Sequence, residues 1–248
     1  MDDSLKGHPP KDPKVDNRDT LPYEVSVNEE VRRKIESLQD VKIKRCEKSI
    51  YIQPMTMTYK QNGREKFWDF IKTHDSVSII VYNRTKDSLV FVKQFRPGVW
   101  IHTTDWSVDK STVDVQNFPA RLGITYELCA GIVDKDLPLD VIAQQEVLEE
   151  TGYQVSSNDL ELVTSMRSNV GVAGSLQTMY YLEVTDDQRV SKGGGSDKEG
   201  ELIEVVEIPV ENVKEMMFDQ KLARPAGLMF ALMWFFQNKY QQNRSPIT

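Results

Sequence analysis

Three glutamates near the middle of the chain have the spacing that presents carboxylates on one side of a helix. Glu146, Glu149 and Glu150 stand at positions i, i+3 and i+4, which at 3.6 residues per turn places them within an arc of roughly 100°. Like charges held this close repel one another, and the C-terminal turn of a helix disfavours negative charge further. A hard divalent cation would relieve both costs, because carboxylate oxygens suit Mg²⁺ or Mn²⁺. The spacing indicates a metal site for a phosphate ester or anhydride; a solvated acidic helix face is the alternative.

The helix that would carry these carboxylates has a start and a stop in the sequence. Asp136 is the expected N-cap, and Pro138 belongs in the first turn, where a missing N–H does no harm. Gly152 follows the expected end of the helix. Leu148 is expected on the side away from the glutamates, so the pattern predicts a helix that buries one side and exposes its carboxylates.

Residues 127–153 (ELCAGIVDKDLPLDVIAQQEVLEETGY) resemble the Nudix box, G-x5-E-x7-R-E-U-x-E-E-x-G-U, in which U is apolar. Gly131 fits its first glycine, and the second half is matched by Glu146, Val147, Glu149, Glu150, Gly152 and Tyr153. Two positions depart, since Leu137 replaces the first glutamate and Gln145 replaces the arginine. In the family these two residues commonly pair and brace the loop against the helix. Losing both leaves no unpaired charge, so the departure is interpreted as a change of scaffold.

The resemblance implies a fold and a set of metal ligands. The fold would be α/β, a mixed β-sheet sandwiched between helices, with an N-terminal β extension. Glu146, Glu149 and Glu150 would bind Mg²⁺, or Mn²⁺, and the backbone carbonyl of Ala130 would be a further ligand. In such a site the metal neutralises a diphosphate and lowers the pKa of a bound water.

A closer resemblance extends from about residue 46 to about residue 236. It rests on QNGREKFWDFIKTHDSV (61–77), VFVKQFRPGVW (90–100) and ELCAG. These stretches are similar to the UDP-sugar pyrophosphatase and ADP-ribose pyrophosphatase subgroup. The resemblance implies Mg²⁺-dependent hydrolysis of a nucleotide-sugar substrate, with UDP-glucose giving UMP and glucose 1-phosphate. Hydrolysis of ADP-ribose to AMP and ribose 5-phosphate is one alternative, and a nucleotide-binding protein without hydrolysis is another.

Arg96, Gln177 and one of two neighbouring aromatic side chains are candidate substrate-binding residues outside the box. Arg96 follows a predicted strand, where a guanidinium can hold a phosphate through two parallel N–H bonds, as the family implies, or form a surface ion pair. Phe67 and Trp68 are candidates for stacking on the base. Because neighbours on a strand face opposite ways, only one of these two is expected at the ligand, and Trp68 is preferred. Gln177 lies about where related ADP-ribose hydrolases carry a glutamate, and its amide could donate a hydrogen bond to the sugar or base.

The candidate catalytic base lies in a glycine-rich loop. Three glycines at 193–195 predict mobility over residues 191–200, and a mobile loop could close over substrate. Glu199 and Glu201 stand where this loop meets the next strand, at the place where ADP-ribose hydrolases carry catalytic or metal-binding glutamates. Glu201 is favoured because its closeness to the strand fixes its direction. An acidic solvent-exposed loop is the alternative for each residue.

The chain divides into three predicted regions. Residues 1–40 form a flexible extension with a short helix over about 28–39, introduced by a capping box at 26–29. Residues 41–75 form a hairpin turning at an Asn-Gly pair, which in relatives reaches a second subunit and so implies a homodimer. Residues 76–241 form the Nudix hydrolase domain. Its predicted strands and helices are 76–82, 89–95, 125–129, 160–166, 176–184, 202–208, 210–218 and about 225–240.

Composition argues against several other classes of protein. The net charge is −7 and no basic patch with interleaved aromatics occurs, so no nucleic acid partner is expected. Only Cys46 and Cys129 are present, without C-x-x-C spacing, which favours reduced thiols and a cytoplasmic protein. The apolar run in the last predicted helix is about ten residues, short of the ~20 needed to span a bilayer. No membrane association is therefore expected.

Overall fold

The structure is a computed structural model that describes residues 21–44, 46–104, 113, 115–196, 198 and 200–240. Its strands are β1 (Val25–Ser26), β2 (Gln53–Gln61), β3 (Arg64–Lys72), β4 (Ser76–Asn83), β5 (Ser88–Phe95), β6 (Ile124–Glu127), β7 (Cys129–Ile132), β8 (Glu161–Arg167), β9 (Leu176–Val184) and β10 (Glu204–Pro209). Its helices are α1 (Glu29–Ile35), α2 (Pro97–His102), α3 (Leu139–Glu146), α4 (Val210–Phe218) and α5 (Ala226–Phe235).

An eight-stranded mixed sheet forms the centre of the fold. Its main order is β1-β10-β5-β4-β9-β8, with β6 paired to β5 and β7 paired to β4. Strands β4 and β9 are parallel, and the other pairings of this sheet are antiparallel. Helix α3 packs on one face of the sheet, while α4 and α5 pack on the other. This arrangement confirms the predicted α/β class, a mixed sheet between helices.

The central strands are apolar at nearly every position because both faces of the sheet are covered. On β4, Val77, Ile79 and Val81 pack toward α3, whereas Ile80 packs toward α4 and α5. The two-sided burial explains the continuous apolar runs of β4 and β5, which lack the alternation of a strand with one wet face.

Most predicted elements lie within about two residues of their expected bounds, the usual uncertainty of an element's end. Strand β9 and helix α4 coincide with the ranges 176–184 and 210–218. The single strand predicted over 125–129 is wrong, because the chain moves there from one neighbour to another. Leu128 separates β6, which pairs with β5, from β7, which pairs with β4.

Strands β2 and β3 form a hairpin that makes a second sheet. It turns at Asn62 and Gly63, whose φ values of 52° and 73° are those that an Asn-Gly turn supplies. The Ile71 N–H donates to the Val172 carbonyl (2.8 Å), which joins the hairpin to the loop before β9. Large apolar side chains are exposed on both of its faces: Met55, Met57, Phe67 and Trp68.

Residues 21–35, here called the N-terminal segment, pack against the main sheet. Strand β1 pairs with β10 at the edge of the sheet, and Leu21 and Ile35 are buried. The predicted flexible extension therefore does not include these residues. Leu21 and Ile35 pack in the core, although the charged and polar residues around them are typical of an exposed chain. Residues 1–20 of the extension lie outside the described part of the chain.

Helix α1 is shorter than the predicted range 28–39 and has a different cap. Its N-cap is Asn28, whose side chain accepts the Val31 N–H (3.5 Å). The predicted cap, Ser26, instead accepts the Asn28 N–H (3.3 Å) in a local turn. Ser26 and Asn28 both carry a side-chain acceptor close to the start of α1, and Asn28, which is nearer to the first turn, is the cap.

Helix α5 is apolar throughout, and one side of it is part of the core, whereas Phe230 and Met233 are exposed. Leu228, Leu232 and Phe235 are buried against the sheet. Within the described ranges, no helix combines the length and the apolar character that crossing a membrane requires.

Candidate active site

Helix α3 carries the glutamates and starts later than the sequence predicts. It begins at Leu139, and Pro138 occupies the N-cap position without a side-chain hydrogen bond. Asp136 is therefore wrong as the N-cap. The residue before a proline is disfavoured in helical conformation, so Leu137 does not extend the helix back toward Asp136.

The end of this helix is a wider turn that changes which side chains are buried. Regular α-helical bonding ends at Glu146, and Val147–Thr151 forms one π-helical turn, a feature frequent at functional sites. The wider turn rotates the residues that follow, so Leu148, predicted to be buried, is 42% exposed while Glu150 is 2% exposed. Gly152 ends the helix as predicted, at a φ of 80°. One of the three carboxylates thus lies inside the protein.

The buried carboxylate of Glu150 accepts hydrogen bonds from the Ala130 N–H (2.9 Å) and from the Cys129 thiol. Burial is the main reason that the pKa of Glu150 is raised to about 8. The nearby carboxylates of Glu146 and Glu201 act in the same direction, and the two hydrogen bonds oppose it. Burial also raises the pKa of the Cys129 thiol, which keeps the proton it donates. We call Glu146, Glu150 and Glu201 the coupled glutamates.

The Glu146 side chain packs directly against Gly131 on β7. A Cβ placed on this glycine would overlap the Glu146 carboxyl group. The glycine that matches the start of the Nudix box therefore allows α3 to lie close to β7. Its role is close packing, and no unusual backbone angle is involved.

The glycine-rich loop is hydrogen-bonded to the end of α3. The Gly194 N–H donates to the Glu150 carbonyl (2.9 Å), and the Gly195 N–H donates to the Glu149 carbonyl (3.2 Å). Positive φ values at 193–195 let successive N–H groups reach helix carbonyls that lack partners within the helix. In contrast to the predicted mobile loop, this part is joined to the helix that carries the carboxylates.

This loop brings Glu201 near Glu150. The Glu201 Oε2 accepts the Ser196 N–H (2.9 Å), and the Glu201 N–H donates to the Ser196 carbonyl (3.1 Å). This reciprocal pair fixes the direction of the carboxylate, and Gly195 leaves room for it because a Cβ there would lie 2.8 Å from Oε2. Glu199, the other candidate base, lies outside the described residues.

Arg96 forms a two-bond ion pair, the alternative that the sequence left open, with a partner that the sequence did not identify. Its Nε and Nη2 donate to the two carboxylate oxygens of Glu127 at 2.8 and 2.7 Å, and the Thr125 hydroxyl donates to the same carboxylate. The Glu127 hydrogen bonds raise the pKa of Arg96, and Glu150 and Glu201 raise it further. The guanidinium therefore lies within electrostatic reach of these carboxylates, the side chain is 47% exposed, and N–H bonds remain beyond the two used here.

Arg189 holds the C-terminal end of the glutamate-bearing helix. Its Nη2 donates to the Thr151 carbonyl (3.1 Å), and its Nη1 donates to the buried carboxylate of Glu207 (2.8 Å). The guanidinium also lies 4.6 Å from the ring centre of Tyr153. The local sequence does not predict this role for Arg189, because its partners Thr151 and Glu207 lie 38 and 18 residues away in the chain.

Trp68 lies on strand β3 of the hairpin. Its indole N–H donates to the Gly171 carbonyl (3.1 Å). Trp68 and Phe67 are 53% and 71% exposed, so neither of these neighbours packs on a sheet face. Both rings remain available on opposite sides of the hairpin.

Gln177 lies on the opposite face of the main sheet from Cys129. It shares its face with Met179, which packs toward α5, whereas Cys129 packs toward α3. Its amide donates to the Ser76 hydroxyl (3.4 Å), and its side chain lies beside Gly227. The structure does not bring it to the glutamates.

The donor set suits a divalent cation although no preformed cage is present. Among the described residues, no group of three or more His, Cys, Asp and Glu is arranged to hold a metal ion. After burial, Glu146 and Glu201 nevertheless contribute to the raised pKa of Glu150, and a cation among these carboxylates would oppose their effect. Carboxylate oxygens are the ligands that hard divalent cations take.

Comparisons with known proteins agree with one another, although no protein-family model matches the chain. The chain is 43% identical over 212 residues to the uridine diphosphate glucose pyrophosphatase NUDT14 of Bos taurus, covering 82% of this chain and 96% of the relative. It is 40% identical to the protein of the same name from Mus musculus, with the same coverage. A GDP-mannose pyrophosphatase of Enterobacter sp. is 33% identical over 143 residues, covering 58% of this chain and 64% of the relative.

Proposed function

Because the chain belongs to the nucleotide-sugar pyrophosphatases of the Nudix hydrolase superfamily, we propose that it hydrolyses UDP-glucose to UMP and glucose 1-phosphate. One water is consumed: its oxygen bonds to a phosphorus, and the bond from that phosphorus to the bridging oxygen breaks. The observation that carries this proposal is the similarity over 212 residues to uridine diphosphate glucose pyrophosphatases. A cationic side chain, Arg96, within electrostatic reach of Glu150 and Glu201 fits a metal-assisted reaction at a diphosphate.

We assign the metal site to Glu146, Glu149, Glu150 and the carbonyl of Ala130. A divalent cation bound there, Mg²⁺ or Mn²⁺, supplies charge neutralisation for the diphosphate and a water of lowered pKa. The protein's own part is to hold these oxygens together: the Ala130 N–H fixes Glu150, and Gly131 admits Glu146.

We assign the proton transfer to Glu201 and the orientation of the diphosphate to Arg96. Glu201 Oε2 is held by the Ser196 N–H, so Oε1 is the oxygen that accepts the proton of the attacking water. Arg96 is held by Glu127 and offers its remaining N–H bonds to phosphate oxygens. Glu199 stays the alternative base.

Recognition of the nucleoside is assigned to Trp68 in a homodimer. The hairpin exposes apolar side chains on both faces, which supports a second copy of the chain as its partner. In that arrangement Trp68 stacks on the base, while Gln177, on the other face of the main sheet from Cys129, is given no role. A cytoplasmic location stays a prediction from the two cysteines.

The test is product analysis with UDP-glucose, GDP-mannose and ADP-ribose, each with Mg²⁺ and with EDTA. We expect UMP and glucose 1-phosphate from UDP-glucose, at a higher kcat/KM than for the other two, and no product with EDTA. Glu150→Gln is expected to remove most turnover, whereas the matched control Glu211→Gln, on the exposed side of α4, is expected to retain it. AMP from ADP-ribose as the main product, or undiminished turnover in Glu150→Gln, would overturn the assignment.

A further inference from the structure

A buried ion network joins the N-terminal segment to the main sheet. The carboxylate of Glu24 accepts hydrogen bonds from Arg32 (2.7 Å), from Lys93 (3.0 Å) and from the Tyr126 hydroxyl. Glu204 accepts a second bond from Arg32 (2.7 Å) and lies 3.5 Å from the Lys93 ammonium group. The side chains of both glutamates are fully buried. Two residues of the segment and three of the sheet therefore share one network.

The charges of this network balance, while Glu204 Oε2 has only the 3.5 Å ion contact to Lys93 and no hydrogen bond within the described part of the chain. Two carboxylates face two cations, and each contact replaces part of the lost hydration. Removing a single member would leave a buried charge without its partner, which is strongly destabilising. Apolar side chains could fill the same space at least as stably, so stability alone does not account for the network. Its position in the fold suggests what else it does.

The network lies next to the active-site residues on two strands. On β5, Lys93 comes three residues before Arg96. On β6, Tyr126 comes immediately before Glu127, the partner of Arg96. Because successive residues on a strand face opposite ways, the same strand end presents Tyr126 to the network and Glu127 to the arginine.

The third strand carries the candidate base. Glu204, the first residue of β10, pairs with Lys93 of β5 and comes three residues after Glu201. The position of Glu201 relative to β5 therefore depends on the register of Glu204 and Lys93. The N-terminal segment holds this pair in register, because Arg32 contacts Glu204 and Glu24 contacts Lys93.

We propose that Glu24 and Arg32 are positioning residues of the active site, and that they hold the strand ends that present Arg96, Glu127 and Glu201. The proposal deepens the proposed hydrolysis and rests on it for its kinetic readout. The N-terminal segment is then a component of the catalytic domain and acts through the three sheet residues of the network. Residues 1–20 play no part in this inference.

The first experiment replaces both residues together. Glu24→Gln with Arg32→Gln removes one charge of each sign and leaves Lys93 paired with Glu204, so the buried charge stays balanced. We expect kcat/KM for UDP-glucose to fall by roughly 10- to 100-fold, as for groups that orient catalytic residues. The matched control removes the exposed pair of α1, Glu30→Gln with Lys34→Gln, whose side chains are 67% and 57% exposed. It is expected to leave kcat/KM unchanged.

The second experiment separates positioning from general stability. The Glu24→Gln/Arg32→Gln change is introduced into an Arg96→Gln/Glu201→Gln background and kcat/KM is measured again. A positioning role predicts that the further loss shrinks to less than about threefold, because the groups being positioned are already gone. An equal loss in both backgrounds, or no loss in either, would overturn the proposal.

Amide hydrogen exchange provides a readout that does not depend on turnover. If the wild-type protein hydrolyses no nucleotide sugar, the proposed function fails, and exchange at 93–96 and 201–204 then decides the positioning role. Faster exchange at both stretches in the Glu24→Gln/Arg32→Gln protein, and not in the Glu30→Gln/Lys34→Gln control, supports it. Unchanged exchange at these stretches overturns it.

Discussion

Replacing Gly131 by alanine is the sharpest test of how the carboxylates are placed. A Cβ built on Gly131 would lie 2.1 Å from both Cδ and Oε1 of Glu146. Ordinary carbon contacts need about 3.5 Å, so the Glu146 carboxyl must move by more than about 1 Å. The clash is with the far end of a flexible side chain, so the fold is expected to lose less than about 1 kcal/mol, below the usual range for overpacking.

The expected effect on catalysis is much larger than the effect on stability. A misplacement of about 1 Å in a catalytic group costs on the order of 100-fold in rate. We expect Gly131→Ala to lower kcat/KM for UDP-glucose by about that factor and to raise the Mg²⁺ concentration that gives half-maximal activity. Urea unfolding measures the stability of the same preparation.

Two comparisons make this result decisive. Gly98→Ala is the matched control, because a Cβ at Gly98 meets nothing within 4 Å, and it is expected to retain wild-type activity. In a Glu146→Gln background, Gly131→Ala is expected to cost nothing further. Wild-type activity and metal dependence in Gly131→Ala would refute the reasoning, since Glu146 could then move without consequence.

Three further predictions address the helix end and the arginine. The pKa of buried Glu150 is raised from 4.5 to about 8, so between these values the native protein holds a proton that the unfolded chain has released. Metal-free protein is therefore expected to lose stability as pH rises from 4.5 to 8. Urea unfolding with EDTA at pH 5 and 8 should show a smaller loss of stability for Glu150→Gln than for the wild-type protein. Equal losses in the two proteins would contradict this. Arg189→Lys loses the bond to the Thr151 carbonyl and is expected to lower the free energy of unfolding by about 1–3 kcal/mol. The control Arg84→Lys, at an exposed ion pair, is expected to lower it by less than ~1 kcal/mol. Similar values for the two variants would show that Arg189 does not hold the helix end. Arg96→Lys is expected to raise KM for UDP-glucose about tenfold with a smaller effect on kcat, and an unchanged KM in steady-state assays would exclude the phosphate contact.

The helix that carries the glutamates was predictable because its signals are local. The spacing of Glu146, Glu149 and Glu150 predicts one common side on a regular α-helix, whereas in the structure Glu150 is buried and Glu149 is exposed. The glycine at 152 marks where the helix ends. The π-helical turn was not predictable, because it accompanies contacts from elsewhere. The loop at 193–195 donates hydrogen bonds to the carbonyls of this turn, and no signal within the helix indicates them.

The pairing of Arg96 shows a second limit of sequence reasoning. Its position at a strand end was visible, but its partner Glu127 belongs to β6, and only the pairing of β5 with β6 brings the two together. The ion network is hidden for the same reason. Glu24 and Arg32 lie in a polar stretch that resembles a tail, and their buried partners are far away in the chain.

The two departures from the Nudix box bear directly on whether the site is complete. Leu137 and Gln145 replace the pair that in the family braces the loop against the helix, and in this structure Leu137 is 41% exposed. The helix has another attachment at its C-terminal end, where Arg189 joins the Thr151 carbonyl to the buried Glu207. This attachment lies within two residues of Glu149 and Glu150, so it constrains the backbone that carries them. The loss of the original pair is therefore consistent with an active enzyme, and the scaffold has changed while the carboxylates have stayed.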